Sequence, residues 1–298
     1  MLQPVRLLFC LLALARCAAS LVVPAFMIKP AEKLASTTLT RVADGMSVDL
    51  GAALADTTAK TLLVLGTHAG DFNSVEYAQK LRAALPKLRA KGVERCLFVV
   101  NGAASSCEKL AELVDLPAEI EMLADPSGEA GRKFGVSRGW QADNDDISPY
   151  LKLFVVGLGF GDLGTLPAVL IGYTGNPNGR REWIDSALKQ GQLAGRSAGP
   201  LPDILELDGS GEIVANKFDD FPLVSGWGVR PLELATLRLQ NLLGVQFANW
   251  EALKPVDDRL LTQLGGCTVV GPGGAPLFNW LDRGLCDVVD FEEVVEAI

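Results

Sequence analysis

Thr61-Leu62-Leu63-Val64-Leu65-Gly66-Thr67-His68-Ala69-Gly70 runs straight into Asp71–Ala90 (DFNSVEYAQKLRAALPKLRA), and the reading of these thirty residues decides the fold. The first ten are a short apolar run ending at a glycine, which reads as a buried strand. In the next twenty, Val75, Ala78, Leu81, Leu85 and Leu88 recur at three- and four-residue steps, the period of a helix packed on one face. Pro86 fits a kink in the last turn and Gly92 a C-terminal cap. A strand passing through a tight turn into a helix leaves free N–H groups and the positive dipole end facing the turn. That setting stabilises a thiolate. Yet the turn Thr67–Glu76 holds no sulfur, and no cysteine lies between Cys17 and Cys96.

Outward from this unit the pattern alternates. Glu94–Val100 reads as a second buried strand, Ser105–Val114 as a second helix, Ile120–Ala124 as a third strand and 126–134 as a short helix or turn. Strands alternating with helices predict right-handed crossovers and a largely parallel sheet. The far end differs. Cys267–Val270 and Leu277–Trp280 flank the turn Gly271–Pro276 and predict a hairpin, and Asp290–Ile298 opens on a capping acid and predicts a terminal helix. The order β-α-β-α-β then β-β-α is that of a thioredoxin-like α/β fold. A large, mainly helical insertion, roughly 137–262, separates the halves. Within it Leu151–Tyr173 is apolar but broken by glycines, Asp162 and Pro167, which argues against a membrane span and for a buried helix-loop-helix. Asn176–Leu201 reads as a polar loop, 204–215 as a small hairpin and Pro231–Leu243 as an amphipathic helix.

The formal charge is −9, and the only charges among the first twenty residues are Arg6 and Arg16, so the remainder is more acidic still. Such a surface repels phosphate backbones, which excludes nucleic acid as a partner class. His68 is the sole histidine, so a histidine-rich metal site is excluded, and nothing in the sequence calls for a metal or cofactor. The cysteines at 10, 17, 96, 107, 267 and 286 show no CxxC and no close-set pair, which fits a reducing compartment. Residues 1–20 combine a positive start, an apolar core and small residues before Leu21, the pattern of a signal peptide. Residues 21–45 are basic and hydroxyl-bearing, a transit-like linker. Together they predict a plastid address, with secretion as the alternative, and a domain over 46–298.

GDFNSVEYA on its strand-to-helix turn resembles the peroxiredoxin-like (AhpC/TSA) branch of the thioredoxin superfamily. LADPSGEAGRKFGVSRG, GYTGNP, RPLELATLRLQNLL and GGCTVVGPGGAPLFNWLDRG add to the resemblance, which spans roughly 60–298 and is to cyanobacterial and plastid members. It implies a redox or antioxidant role with a thiol reductant, or a plastid protein, as partner. Family peroxidases carry their cysteine in the helix's first turn, with a threonine and an arginine nearby. Here that position falls at Ser74 or Glu76, and Thr67 lies close by. A serine hydroxyl is too weak an acid to replace a thiolate, and a carboxylate cannot be oxidised and recycled.

Three sets of residues are candidates for chemistry. Ser105-Ser106-Cys107-Glu108 spells a capping box that would put Cys107 in a first helical turn, where the dipole favours thiolate and Glu108 opposes it. Cys107 is then either a working thiol or a helix residue without a role, and Cys267 a possible second thiol facing it. Thr67, His68, Asp71, Ser74 and Glu76 form either a polar pocket at the sheet edge or, for the two acids, caps that satisfy the helix dipole. Cys96 reads as a core residue, and Cys286 as a loop thiol with nothing local in its support. Two functional classes therefore stand: a thiol-dependent oxidoreductase using Cys107, or a binding or assembly protein that has lost its thiol.

Overall fold

The apolar run at 61–65 forms an interior strand of a seven-stranded sheet because it is buried on both faces and its side chains sort strictly by parity. Leu62 and Val64 join one core while Leu63 and Leu65 join the other. In the neighbouring strand Cys96, Phe98 and Val100 face the first core, and Leu97 and Val99 the second. The computed structural model of the protein describes residues 29–160, 162–177, 179–196, 204–220 and 227–298. The leader reading of 1–20 and the beginning of the basic stretch lie outside them.

In chain order the elements are α1 (Pro30–Lys33), β1 (Thr38–Arg41), β2 (Ser47–Asp49), α2 (Leu50–Ala55), β3 (Lys60–His68), α3 (Phe72–Ala90), β4 (Val93–Asn101), α4 (Ala104–Val114), β5 (Ile120–Ala124) and α5 (Glu129–Phe134). They continue with α6 (Pro149–Gly157), α7 (Thr165–Thr174), α8 (Glu182–Leu193), β6 (Leu205–Leu207), β7 (Ile213–Asn216), α9 (Pro231–Asn241), α10 (Trp250–Leu253), β8 (Gly266–Val270), β9 (Pro276–Leu281) and α11 (Phe291–Ala297). The large sheet has the order β2-β1-β5-β4-β3-β8-β9. Strands β3, β4 and β5 run parallel, and β8 pairs antiparallel with β3 and with β9. Helices α3, α4 and α11 cover one face; α1, α2 and α5 cover the other. This is the mixed sheet of a thioredoxin-like fold, as the element order predicts.

Glycine at 265 and 266 is forced by crowding. A Cβ on Gly265 would come within 2.5 Å of the Leu65 carbonyl oxygen, and one on Gly266 within 2.5 Å of that of Trp280. No peptide bond among the described residues is cis.

Four local expectations are corrected. Within the expected linker 21–45, residues 38–41 add a strand to the sheet, because Leu39, with Val48 and Leu34, has an apolar face to bury against Ala130 and Phe134. The expected loop 176–201 contains α8, whose Ile184, Ala187 and Leu188 pack on Leu234 and Leu237 of α9 in a third core. The glycines of that stretch mask a helical period. The apolar stretch 151–173 does form two helices around a break, but they are not buried: Phe154 and Phe160 are each 63% exposed and Leu163 87%. Among the described residues, no helix is long and apolar enough to cross a membrane. Finally, α4 begins at Ala104 with Ala103 as its N-cap and no side-chain cap, so the Ser105–Glu108 capping box does not form. The chain turns into the helix two residues early.

Candidate functional site

The three parallel strands end at one sheet edge, where α3 and α4 begin. Thr67 and Ser74 meet there, their hydroxyl oxygens 3.0 Å apart and both side chains fully buried. Ser74, the third residue of α3, is thus sealed beneath the turn. His68 is also buried. Burial lowers its pKa, a shift that the nearby Asp71 charge only partly opposes, and its ring stands edge-on to Trp250 at 6.0 Å. The segment 246–253 roofs the turn, with the Gln246 side-chain amide donating to the Gly70 carbonyl at 3.0 Å. Asp71 occupies the N-cap position of α3, but its carboxylate accepts no capping hydrogen bond.

The five turn residues therefore do not form one pocket. Glu76 lies beyond the first helical turn and points elsewhere, to Lys80 at 3.7 Å and Arg238 at 3.4 Å. All three line a cavity of about 820 Å³ between α3, α7, α9, β9 and the segment after β9.

Cys107 and Cys267 are both free thiols within the core on the α3 side of the sheet. The Cys107 sulfur sits 3.8 Å from the Val100 carbonyl oxygen, and burial, reinforced by Asp125, pushes its pKa up to about 12. Burial, and then the Asp282 charge, raise the Cys267 thiol well above its usual range. Cys96 is a core residue whose thiol burial pushes up to about 11. For Cys107, the one of these near a helix start, that position does not offset the loss of water around the sulfur.

Residues that the sequence reading passed over make the built part of the site. Asp282, buried just after β9, accepts from Tyr77 Oη at 2.6 Å, Trp280 Nε1 at 3.1 Å, the Gly265 N–H at 3.2 Å and Asn73 Nδ2 at 3.3 Å. Burial still lifts its carboxyl to about 8, against the pull of the Tyr77 hydrogen bond. Asn73 then accepts from the Cys286 N–H at 2.9 Å, which fixes residue 286 against the start of α3. Cys286 has φ +64°, left-handed backbone that a non-glycine residue adopts at a cost of about 1–3 kcal/mol. Its segment is further held by the Arg283–Asp287 ion pair at 2.9 Å and by the Leu285 N–H donating to Thr165 Oγ1 at 3.0 Å.

Cys286 is half-buried and lines the cavity with Glu76, Lys80, Arg238, Trp280 and Trp183. Burial pushes its thiol up to about 11; Arg238 and Lys80 pull it down, while Glu76 and Asp71 push the same way as burial. Arg238 is only 7% exposed, and its Nε and Nη1 have no hydrogen-bond partner. Asn73 and Cys286 are 213 residues apart, so no local pattern could have joined them. The one sequence signal was a second cysteine in the C-terminal segment that the hairpin had to bring back to the sheet edge.

A family model described as AhpC/TSA antioxidant enzyme matches residues 80–284. The match opens inside α3, after the Thr67–Glu76 turn, and closes two residues before Cys286. No curated protein and no solved structure matches the chain.

Proposed function

Because the chain belongs to the AhpC/TSA antioxidant enzyme family, we propose that it is a thiol-dependent redox protein that reduces peroxides at the cavity beside the start of α3. One observation carries this reading. The cavity is lined by the Cys286 sulfur and by the buried, positively charged Arg238, beside α3. The charge of a fixed guanidinium favours negative charge developing on a peroxide oxygen. A thiol reductant would return the sulfur to its resting state. The test is peroxide consumption by the full chain with dithiothreitol as reductant. Turnover above a protein-free control supports the reading; no consumption across pH 7–9 overturns it.

A binding or assembly role is favoured by a different observation, the sealed Thr67–Ser74 hydroxyl pair at one of the two positions, Ser74 and Glu76, where the resemblance would put the family thiol. It predicts a stable protein partner and no peroxide consumption. For the compartment we propose the plastid, from the leader and basic stretch of residues 1–45. A fluorescent reporter carrying these residues should enter plastids, and its secretion would refute the address.

A further inference from the structure

Independently of the redox reading, we infer that the outward faces of α6 and α7 are a self-association surface, covered by a second copy of this chain about a two-fold axis. The usual order of side chains is inverted there. Between Tyr150 and Tyr173 the only charged residues are Lys152 and Asp162. Both are turned inward: the buried Lys152 ammonium donates to the Ala142 carbonyl at 3.2 Å, and the Ser137 hydroxyl donates to the buried Asp162 at 3.1 Å. Over the same span nine large apolar residues are 48–87% exposed. Hiding an ammonium while leaving phenylalanine in water is unfavourable on both counts, and a partner on the outer face relieves the second.

These residues are ordered into one strip. Along α6 and its C-cap they are Tyr150, Phe154 and Leu158, at four-residue steps; along α7 they are Leu166, Leu170 and Tyr173, at steps of four and three. The opposite sides, at Val156 and Gly172, are covered where α6 rests on 258–262 and α7 on α9. The two halves of the strip meet at the break, where a Cβ on Gly159 would lie 2.5 Å from Leu166 Cγ. Size argues for a second copy. At about half exposure each residue shows on the order of 100 Å², so the nine present roughly 900 Å². The largest apolar patch on an ordinary monomer runs to about 300–600 Å², whereas each half of a stable pair contributes about 800 Å². Charge argues the same way. Two chains of net charge −9 repel, and a strip with no outward charge is where they approach at least cost. Helices of nine and ten residues are too short to cross a bilayer, and the strip lacks the outward Lys or Arg that holds an interfacial helix on an anionic membrane.

The experiment follows the full chain by sedimentation velocity from about 0.5 to about 50 μM, without lipid or detergent. A closed species of twice the chain mass is expected at the upper end. The double variant Phe154→Glu, Leu170→Glu should weaken the pairing at least about 100-fold, with the far-UV circular dichroism of the wild type retained. A second arm needs no variant: hydroxyl-radical footprinting of the wild type should show oxidation of Tyr150, Phe154 and Tyr173 falling at least about threefold between dilute and paired protein. A wild type that stays monomeric at the upper concentration, open-ended aggregates in place of a closed pair, or unchanged oxidation of these three residues would overturn the inference. Pairing that survives the double variant would place the contact elsewhere and overturn it too. So would a chain that is monomeric in buffer but floats with phosphatidylcholine vesicles, since the face would then belong to a bilayer. None of these results bears on the peroxide reading.

Discussion

Cys107 and Cys286 show what a sequence pattern promises and what a fold delivers. Cys107 has the better sequence setting, near the start of a helix at the end of a parallel strand. Yet it is closed on all sides, and its thiol is pushed up to about 12. Cys286 belongs to a loop with no motif, but distant hydrogen bonds carry it to the start of the other helix, beside two cations and an open cavity. A helix dipole contributes about 0.3–1 kcal/mol, whereas burying a thiolate in an apolar core costs several times that. Burial raises the Cys286 thiol too, to about 11, so access rather than acidity separates the two.

The sharpest way to break the comparison is to alkylate the native protein with iodoacetamide. Cys286 should react on the order of 10³ times faster than Cys96, Cys107 and Cys267, which must await an opening of the fold. Rapid native-state modification of Cys107 would reverse the contrast. Next in size is the clamp beneath the site. Asp282→Ala orphans the Tyr77 hydroxyl, the Trp280 indole and the Gly265 N–H, and should cost about 3 kcal/mol in denaturant unfolding. Asp282 also gives stability a definite pH slope. Its folded-state value of about 8 lies above the usual carboxylate value of about 4, so between these the folded protein holds a proton that the unfolded chain has released. This group's contribution is therefore greatest below about pH 4 and declines as pH rises towards 8, a slope that Asp282→Asn should remove.

A smaller effect tests the charges around Cys286. The groups acting on it are Arg238 from α9 and Asp71, Glu76 and Lys80 on α3 or at its N-cap; Arg283, Asp287 and Asp290 of its own loop, Glu293 of α11 and Arg180 complete the charged wall. With the thiol near 11, alkylation of Cys286 should rise about tenfold per pH unit from pH 7 to 10. Glu76→Gln removes a like charge and should speed alkylation at pH 8 by roughly tenfold. An unchanged rate would place Glu76 outside the thiol's field. Smallest of all, Leu163→Ser on the exposed break between α6 and α7 should change stability by less than about 0.5 kcal/mol. A loss of several kcal/mol would reinstate the buried reading of that stretch.

Much of the fold was legible because its signals are local. The apolar run ending at Gly70, the spacing of Val75 to Leu88 and the Gly/Pro turn at 271–276 each report on a few neighbouring residues, and each element formed. Helix α8 was missed because Gly191 and the surrounding polar residues dilute its period. The exposure of Phe154 and Leu163 was missed because apolar composition does not say which face finds a partner. The site itself was the least legible part. Thr67 and Ser74 were rightly adjacent, but whether they face water depends on the Gln246–Leu253 roof, and the Asn73–Asp282–Cys286 link joins residues more than 200 positions apart. Helical and strand periodicities carry no information about such contacts.

The most direct measurement is a crystal structure of the full chain after brief peroxide treatment. The account predicts one added oxygen on Cys286 Sγ, turned toward the Arg238 guanidinium, with the backbone bond to Asn73 intact. An unmodified Cys286 alongside an oxidised Cys107, or a 283–287 loop lying away from the start of α3, would contradict it.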